Sequence, residues 1–449
     1  MPDTLTAEVT ELLQLLIRNA CVNDGTPESG QEVRSAKLLR DYLGILGLDL
    51  QTFKSLPGRE SLVARIEGSD PTAPTLLLMG HTDVVPVNPD GWERDPHGAE
   101  LVDGVIWGRG AIDMLNITAS MAVAVRHLAA TGFRPRGTLI YLAVADEEAG
   151  GHHGAEWLVR NARDAVQADY VVTESGGIPI DTPAGRRLGI TVGEKGICWS
   201  RLRVHGTPGH GSRPLHTDNA LVKAARVVQR LAEFRPAAQL SGDWGVVWQR
   251  YLVGMAYPPE LIAALTDPAR VWEGIDALPM EWARMAHACT HMTIAPTVAH
   301  GGTKTNVIPD SVELRVDIRM LPGQDVESVR AVISEALGEL INDVEFSVDD
   351  EVRASISPVD TPLWDALARA AERLHPGARC IPSLTTGGTD ARFFRDLGIP
   401  AYGFGLLSPR IPFELYTSMF HGNNERIDQE SLRLSTELWE AVARDLLSG

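Results

Sequence analysis

The sequence predicts an α/β protein with a largely parallel sheet, into which a smaller ferredoxin-like α+β layer is inserted. Three observations predict it: short apolar runs alternating with helical patterns in the first part of the chain, a β-α-β-β-α-β order in the middle, and a return of the alternating pattern near the end. At 449 residues the chain exceeds one ordinary core, so two domains are expected. Segments 1–193 and 351–449 would form the first and 194–350 the inserted one.

Leu5, Val9, Leu12, Leu13 and Leu16 recur at helical spacing and predict an amphipathic first helix. Thr75–Met79, Thr138–Val144 and Tyr170–Val172 are short apolar runs that read as buried strands. Ile117–Ala130 lies between the first two and carries a helical pattern, with Asn116 as its N-cap. In the middle, Ile197–Val204 reads as a strand, Ala220–Phe234 as a helix, and Met292–Val298 and Val312–Met320 as two strands. Val326–Leu340 then reads as a helix and Val344–Val348 as a last strand. A Trp- and Pro-containing stretch, Arg235–His291, interrupts this order and is expected to be helical. Leu363–Leu374, Ile399–Gly403 and Ser431–Leu447 close the chain as helix, strand and helix.

Hydrophobic residues make up 44% and charged residues 22%, the composition of a folded rather than a disordered chain. The formal charge is −18, from 59 acidic and 41 basic residues, and such a field repels phosphate backbones, so no nucleic-acid partner is expected. No run is long and apolar enough to span a membrane, and the first residues lack the basic-then-apolar order of a signal peptide. Cys21, Cys198, Cys289 and Cys380 form no C-x-x-C pair, which favours buried reduced thiols and a cytoplasmic location.

His81-Thr82-Asp83 directly follows the first apolar run, Asp146-Glu147-Glu148 the second, and Glu174 the third. Asp113 lies in GRGAIDM and His421 opens HGNNE. Strand ends on one edge of an open α/β sheet are where ligands bind, so these groups would meet in one crevice. Carboxylates crowded there repel one another and hold protons unless a cation is present. Histidine nitrogen with carboxylate oxygen suits zinc, with cobalt or manganese as substitutes. The set lacks cysteine and has too many carboxylates for one closed tetrahedron, so two metal ions are expected. His97, His127, His152, His153 and His375 read as ordinary surface or structural residues.

The blocks GHTDVVPV, GRGAIDM, ADEEAGG, TESGG, GEKG, HGTPGHGSRP, GGTKTNVIP, RMLPG, GGTDARFF and HGNNE run from Gly80 to Glu425. In this order they resemble the dinuclear zinc hydrolases that include acetylornithine deacetylase, succinyl-diaminopimelate desuccinylase, aminoacylase and glutamate carboxypeptidase. The resemblance implies a zinc-hydrolase-type α/β catalytic domain with an inserted lid and dimerisation domain. It implies two Zn2+ per chain, one held by His81 and Glu174, the other by Glu148 and His421, with Asp113 bridging. Asp83 would accept a hydrogen bond from the far nitrogen of His81, and Glu147 would be the general base. His210 would stabilise the oxyanion, and Asn306, Arg319 and Gly388 would bind substrate, Arg319 gripping a carboxylate. On the residues alone, Arg319 reads as an exposed strand charge, because it lies off the apolar face of Val312–Met320. The bond after Asp113 would be cis.

The implied reaction is hydrolysis of the amide bond of an N-acyl amino acid or short peptide with a free carboxylate, as in an aminoacylase, deacylase or carboxypeptidase. A dipeptidase or aminopeptidase of the same family is the alternative, although those members more often place Asp where this chain has Glu174. A non-catalytic metal- or ligand-binding relative would lack the base, and Glu147 is present. A homodimer through the inserted domain is also implied, with His210 completing the site of the partner subunit; the alternatives are that His210 acts in its own subunit after domain closure, or that Arg235–His291 covers the dimer surface. Two features depart from the family. Leu115-Asn116 stands where Lys-Gly is common, and Arg235–His291 lengthens the insert beyond that of the smallest members.

Overall fold

The strands Thr138–Val144, Thr75–His81, Tyr170–Thr173 and Ala401–Gly403 lie side by side and parallel at the centre of a ten-stranded sheet. This computed structural model describes residues 4–44 and 47–448; residues 1–3 and 449, at the outer ends of the expected segments, lie outside the described residues. The central strands are continuous apolar runs because both faces of the sheet are covered. Leu76, Leu78, Leu139 and Tyr141 face one side, against helices Thr4–Arg18, Leu115–Ala130 and Gln429–Leu447. Leu77, Met79, Ile140 and Leu142 face the other, against Leu158 and Phe394.

The sheet is parallel only in its middle. A hairpin of Asp49–Leu56 and Arg59–Ile66 extends one edge, antiparallel to Thr138–Val144. At the other edge Gly185–Glu194 runs antiparallel to Ala401–Gly403 and parallel to Arg379–Thr385. Helix Leu115–Ala130 begins two residues before its expected start, with Met114 at the N-cap position. Asn116 is therefore not the cap: it sits inside the first turn, buried, with no partner for its side-chain oxygen.

The middle of the chain forms a separate four-stranded antiparallel sheet in the order Thr293–Gly301, Ser311–Met320, Gly196–His205, Val344–Val352. Helices Ala220–Glu233 and Val326–Leu337 supply the rest of the β-α-β-β-α-β order. The second helix starts at a capping box, in which the Asp325 carboxylate accepts from Ser328 N at 2.9 Å. This layer has its own core of Leu202, Val204, Val227, Leu314, Val316, Ile318 and Ile333.

The Arg235–His291 stretch is helical, as expected, over Gly242–Gly254, Pro259–Leu265, Val271–Asp276 and Met280–Thr290. It does not join the core of the layer that surrounds it in sequence. Trp244, Trp248, Leu252 and Ile275 pack into the large cluster shared with the ten-stranded sheet. Trp282 stacks on Phe413 with ring centroids 5.4 Å apart. No helix among the described residues is long and apolar enough to cross a membrane.

Candidate metal centre

Three of the central parallel strands end in chemistry. His81 is the last residue of its strand, Glu174 follows Thr173, and Glu147 and Glu148 stand on the short turn after Val144. Asp146 takes a left-handed conformation at φ 71°, which aspartate tolerates better than most residues, and turns the chain into that loop. Asp113 comes from the loop before helix Leu115–Ala130, and His421 follows helix Phe413–Met419. The Asp113–Met114 bond is cis.

These side chains form two triads that share a member. Ligand atoms of His81, Asp113 and Glu174 lie within 4.8 Å of one another, as do those of Asp113, Glu148 and His421. Asp113 Oδ1 is 3.2 Å from His81 Nε2, and its Oδ2 is 3.2 Å from His421 Nε2. Glu148 Oε2 is 3.3 Å from the same His421 nitrogen, while its buried Oε1 has no partner. Glu147 Oε2 and Glu174 Oε1 each lie 3.9 Å from His81 Nε2. Two imidazole nitrogens, several convergent carboxylates and one orphaned buried oxygen form a donor set that fits divalent cations.

Asp83 meets the far nitrogen of His81 through its main chain rather than its carboxylate. His81 Nδ1 meets the main-chain oxygen of Asp83 at 3.0 Å, whereas the Asp83 carboxylate is 3.6 Å from the ring. In the neutral ring Nδ1 carries the hydrogen, so Nε2 turns its lone pair toward the carboxylates. The Asp83 carboxylate instead accepts from Glu147 N at 3.2 Å and Glu148 N at 3.1 Å. Asn23 Nδ2 adds a third bond to it at 2.8 Å. Behind it lie Glu32 and Arg59, both fully buried and paired at 2.6 Å, with Asn23 Oδ1 also held by Arg59 at 2.9 Å. Sequence reading missed Asn23, Glu32 and Arg59, because nothing local in the chain shows that they meet Asp83.

Burial and mutual repulsion set the proton affinities of these groups. Burial, followed by the charges of Asp113 and Glu147, pushes Glu174 well above the usual carboxylate range. Burial also raises Glu147, helped by Asp390, Glu148 and Asp113. Burial alone would keep the His81 ring neutral. Its bond to Asp113 and the charges of Glu174, Glu147 and Asp83 overcome that and raise it well above the usual value. Hydrogen bonds to Asp113 and Glu148 carry His421 up to about 10. A cation needs neutral imidazole and ionised carboxylate, so at neutral pH metal uptake must expel protons. Affinity should therefore rise with pH toward about 10 for the His421 contribution, changing about tenfold per pH unit for each proton displaced. Calorimetric titration in buffers of different ionisation enthalpy measures this; a pH-independent affinity with no proton release contradicts it.

His210, Asn306 and Arg319 lie on the four-stranded layer and its connections, and Gly388 on the loop after strand Arg379–Thr385 of the ten-stranded sheet. Strand residues Gly209–His210 pair with Val307–Ile308, and Gly211 N bonds to Asn306 O at 2.8 Å, so His210 and Asn306 are neighbours. Both are exposed, and the His210 ring bonds Ser212 Oγ at 2.8 Å rather than any member of the triads. Arg319 is held by Asp317 at 2.7 and 3.1 Å. Gly388 sits in a loop whose next residue, Thr389, donates twice to the buried Glu194, at 2.7 and 2.8 Å. The other histidines stay outside the triads: His152 pairs with Glu156, His127 with Glu8 and His375 with Leu407 O.

Imidazoles and carboxylates converging at the carboxyl edge of a parallel sheet, with a further carboxylate beside them, form the kind of donor set that metal-dependent hydrolases use. The family model described as "Peptidase family M20/M25/M40" matches residues 77–445, and the chain belongs to that family. It is accordingly a metal-dependent enzyme of amide hydrolysis. Aminoacylase-1 of Mus musculus is 26% identical over 452 residues, which cover 100% of this chain and 97% of that protein. The fold is shared with the M20 family metallo-carboxypeptidase Sso-CP2 from Sulfolobus solfataricus, at a TM-score of 0.73 and 20% identity over 99% of each chain. Human carnosine dipeptidase 1 has the same fold at a TM-score of 0.67 and 20% identity, covering 99% of this chain and 97% of that one.

Proposed function

We infer that the protein hydrolyses the amide bond of an N-acyl amino acid or short peptide with a free carboxylate, using two divalent ions. Zinc is the expected metal, with cobalt or manganese as substitutes. The observation that carries this reading is Asp113, whose two oxygens face two different histidines at 3.2 Å each. His81 and Glu174 would hold one ion, Glu148 and His421 the other, and Asp113 both. When bound, the ions supply positive charge that activates water and polarises a carbonyl.

Glu147, next in the chain to Glu148, would take the proton of the attacking water and deliver it to the leaving nitrogen. Asp83 would hold the Glu147–Glu148 loop through its two amide bonds, so that base and ligand keep their relative placement. Arg319 and Asn306 would bind the substrate carboxylate, which must compete with Asp317 for the guanidinium. Gly388 would let the substrate approach its loop closely. The relationship to aminoacylase-1 supports an N-acyl amino acid, and the shared fold with a carnosine dipeptidase keeps dipeptides in view. A panel of N-acyl amino acids, N-succinyl compounds and dipeptides, run with zinc, cobalt and manganese, tests this. Turnover of acylated amino acids well above dipeptides is expected. Hydrolysis confined to dipeptides with a free amine would shift the reading to a dipeptidase.

Segment 194–350 would serve as the lid and dimerisation domain, supported by its separate hydrophobic cluster. Its edge strand Thr293–Gly301 is exposed, and Leu215, Leu221, Val222, Val298 and Val307 stand exposed on the same layer and its connections. Such a surface suits a two-fold contact between chains. The Arg235–His291 helices pack on the other core, and the Val298–Gly301 end of that edge strand is exposed. Within such a dimer the exposed His210 would serve the partner's site. Mixing His210→Ala with Glu147→Gln should restore up to about a quarter of wild-type activity under random subunit exchange, with one competent site per mixed dimer. A monomer by light scattering, or no recovery after demonstrated exchange, would leave His210 acting within its own chain. The four cysteines are free thiols, which supports a cytoplasmic setting.

A further inference from the structure

The geometry points to Glu425 as a positioning residue that locks the loop of Asp113 to the loop of His421, and so sets the second triad; this rests on the two-ion reading above. Glu425 is fully buried and lies four residues after His421. Its carboxylate is saturated by one short stretch of chain. Oε1 accepts from Ile112 N at 2.7 Å and Asp113 N at 3.0 Å. Oε2 accepts from Gly110 N at 3.0 Å and Arg109 Nη1 at 2.9 Å. Four donors thus hold one carboxylate inside the turn that presents Asp113.

The link to His421 is built from the same residues. Arg109 Nη2 donates to His421 O at 3.4 Å. Gly108 N bonds to Glu425 O at 2.9 Å, where strand Arg426–Asp428 pairs with Val105–Trp107. The sheet therefore does not deliver Asp113 and His421 as it delivers His81, Glu148 and Glu174. Both belong to loops at the rim, and His421 is largely exposed. A ligand on an exposed loop needs a fixed anchor to keep its angle. Glu425 supplies that anchor for two of the three members of the Asp113–Glu148–His421 triad, and for only one of the His81 triad.

The two triads should therefore respond unequally. Glu425→Gln keeps the size but places an amide NH2 against the Gly110 and Arg109 donors. Glu425→Asp keeps the charge facing Arg109 but is one methylene too short to reach both ends of the turn. In each variant one ion should bind about 10–100-fold more weakly than in the wild type, the range expected when a partner of a metal ligand is removed. The other ion should change much less.

Zn2+ affinity is read by competition with a chromophoric chelator, and ligand geometry by the visible absorption of the Co2+-loaded protein. Metal-free melting is recorded beside them. Weakened binding of one ion with altered cobalt bands, in either variant that folds, is the expected result. A variant that only melts lower when metal-free, with zinc affinity and cobalt bands unchanged, reduces Glu425 to a structural residue and overturns the proposal. Fewer than two zinc equivalents in the wild type measured alongside would instead overturn the two-ion reading itself. The Asp variant, which retains the buried ion pair, decides the matter if the Gln variant does not fold.

Discussion

Glu147→Gln is expected to keep its fold and its metal while losing about 10²–10⁴-fold or more in kcat, the range for removal of a general base. The upper end applies because one carboxylate would handle the proton twice, at attack and at departure. Gln fills the same space, and the amide that Asp83 holds at 3.2 Å belongs to the main chain, so the loop should stay in place. Glu147 is not part of either triad, yet its Oε2 lies 3.9 Å from His81 Nε2, next to where water would be activated. Burial and the surrounding carboxylates already push its proton affinity above that of an ordinary glutamate. Removing one of several mutually repelling acids should therefore ease the crowding rather than collapse the site. Metal content by elemental analysis, together with steady-state rates, checks both halves. Near-normal kcat with two ions bound would assign the proton work to another group.

The part of this site legible in the sequence is the part built locally. His81, Glu147, Glu148 and Glu174 each follow an apolar run, and strand ends are visible from hydrophobic pattern alone. The family blocks supplied Asp113 and His421, which lie on rim loops that no periodicity reveals. The hairpin Asp49–Ile66 leaves no apolar run in the sequence, because no residue of its outer strand is buried and Gln51, Lys54 and Ser55 stand among its apolar residues. Helical periodicity in Arg235–His291 announces a buried face but not its partner. That Trp244 and Trp248 turn to the large core rather than to the adjacent layer is a tertiary choice. The same holds for the buried chain Arg59–Asn23–Asp83. Arg59 and Asn23 are 36 residues apart and Asn23 and Asp83 are 60 apart. Asp83 was assigned to the His81 ring because the two are neighbours in sequence. In the fold, the main-chain carbonyl takes that role and frees the carboxylate to hold the next loop.

Asp113→Ala should do more damage than loss of any other single ligand, because Asp113 alone belongs to both triads. Glu174→Ala removes a donor from one triad and should leave about one equivalent of metal at the other, which keeps its three side chains. Asp113→Ala leaves two donors on each side, His81 with Glu174 and Glu148 with His421, which is too few for tight binding. Less than one equivalent should survive gel filtration. Catalysis should fall by roughly 10³-fold or more, since the charge stabilisation a metal provides is worth several kcal/mol and each 1.4 kcal/mol is a decade in rate. The imidazoles report the change independently of metal. Bonds to Asp113 help to hold both His81 and His421 above their usual proton affinity. In the metal-free variant both rings should therefore release protons at lower pH than in the wild type, which histidine resonances followed by NMR would record. Two tightly bound equivalents in Asp113→Ala, or ring titrations identical to those of the wild type, would mean that the aspartate does not bridge. The triads would then have to be filled and balanced separately.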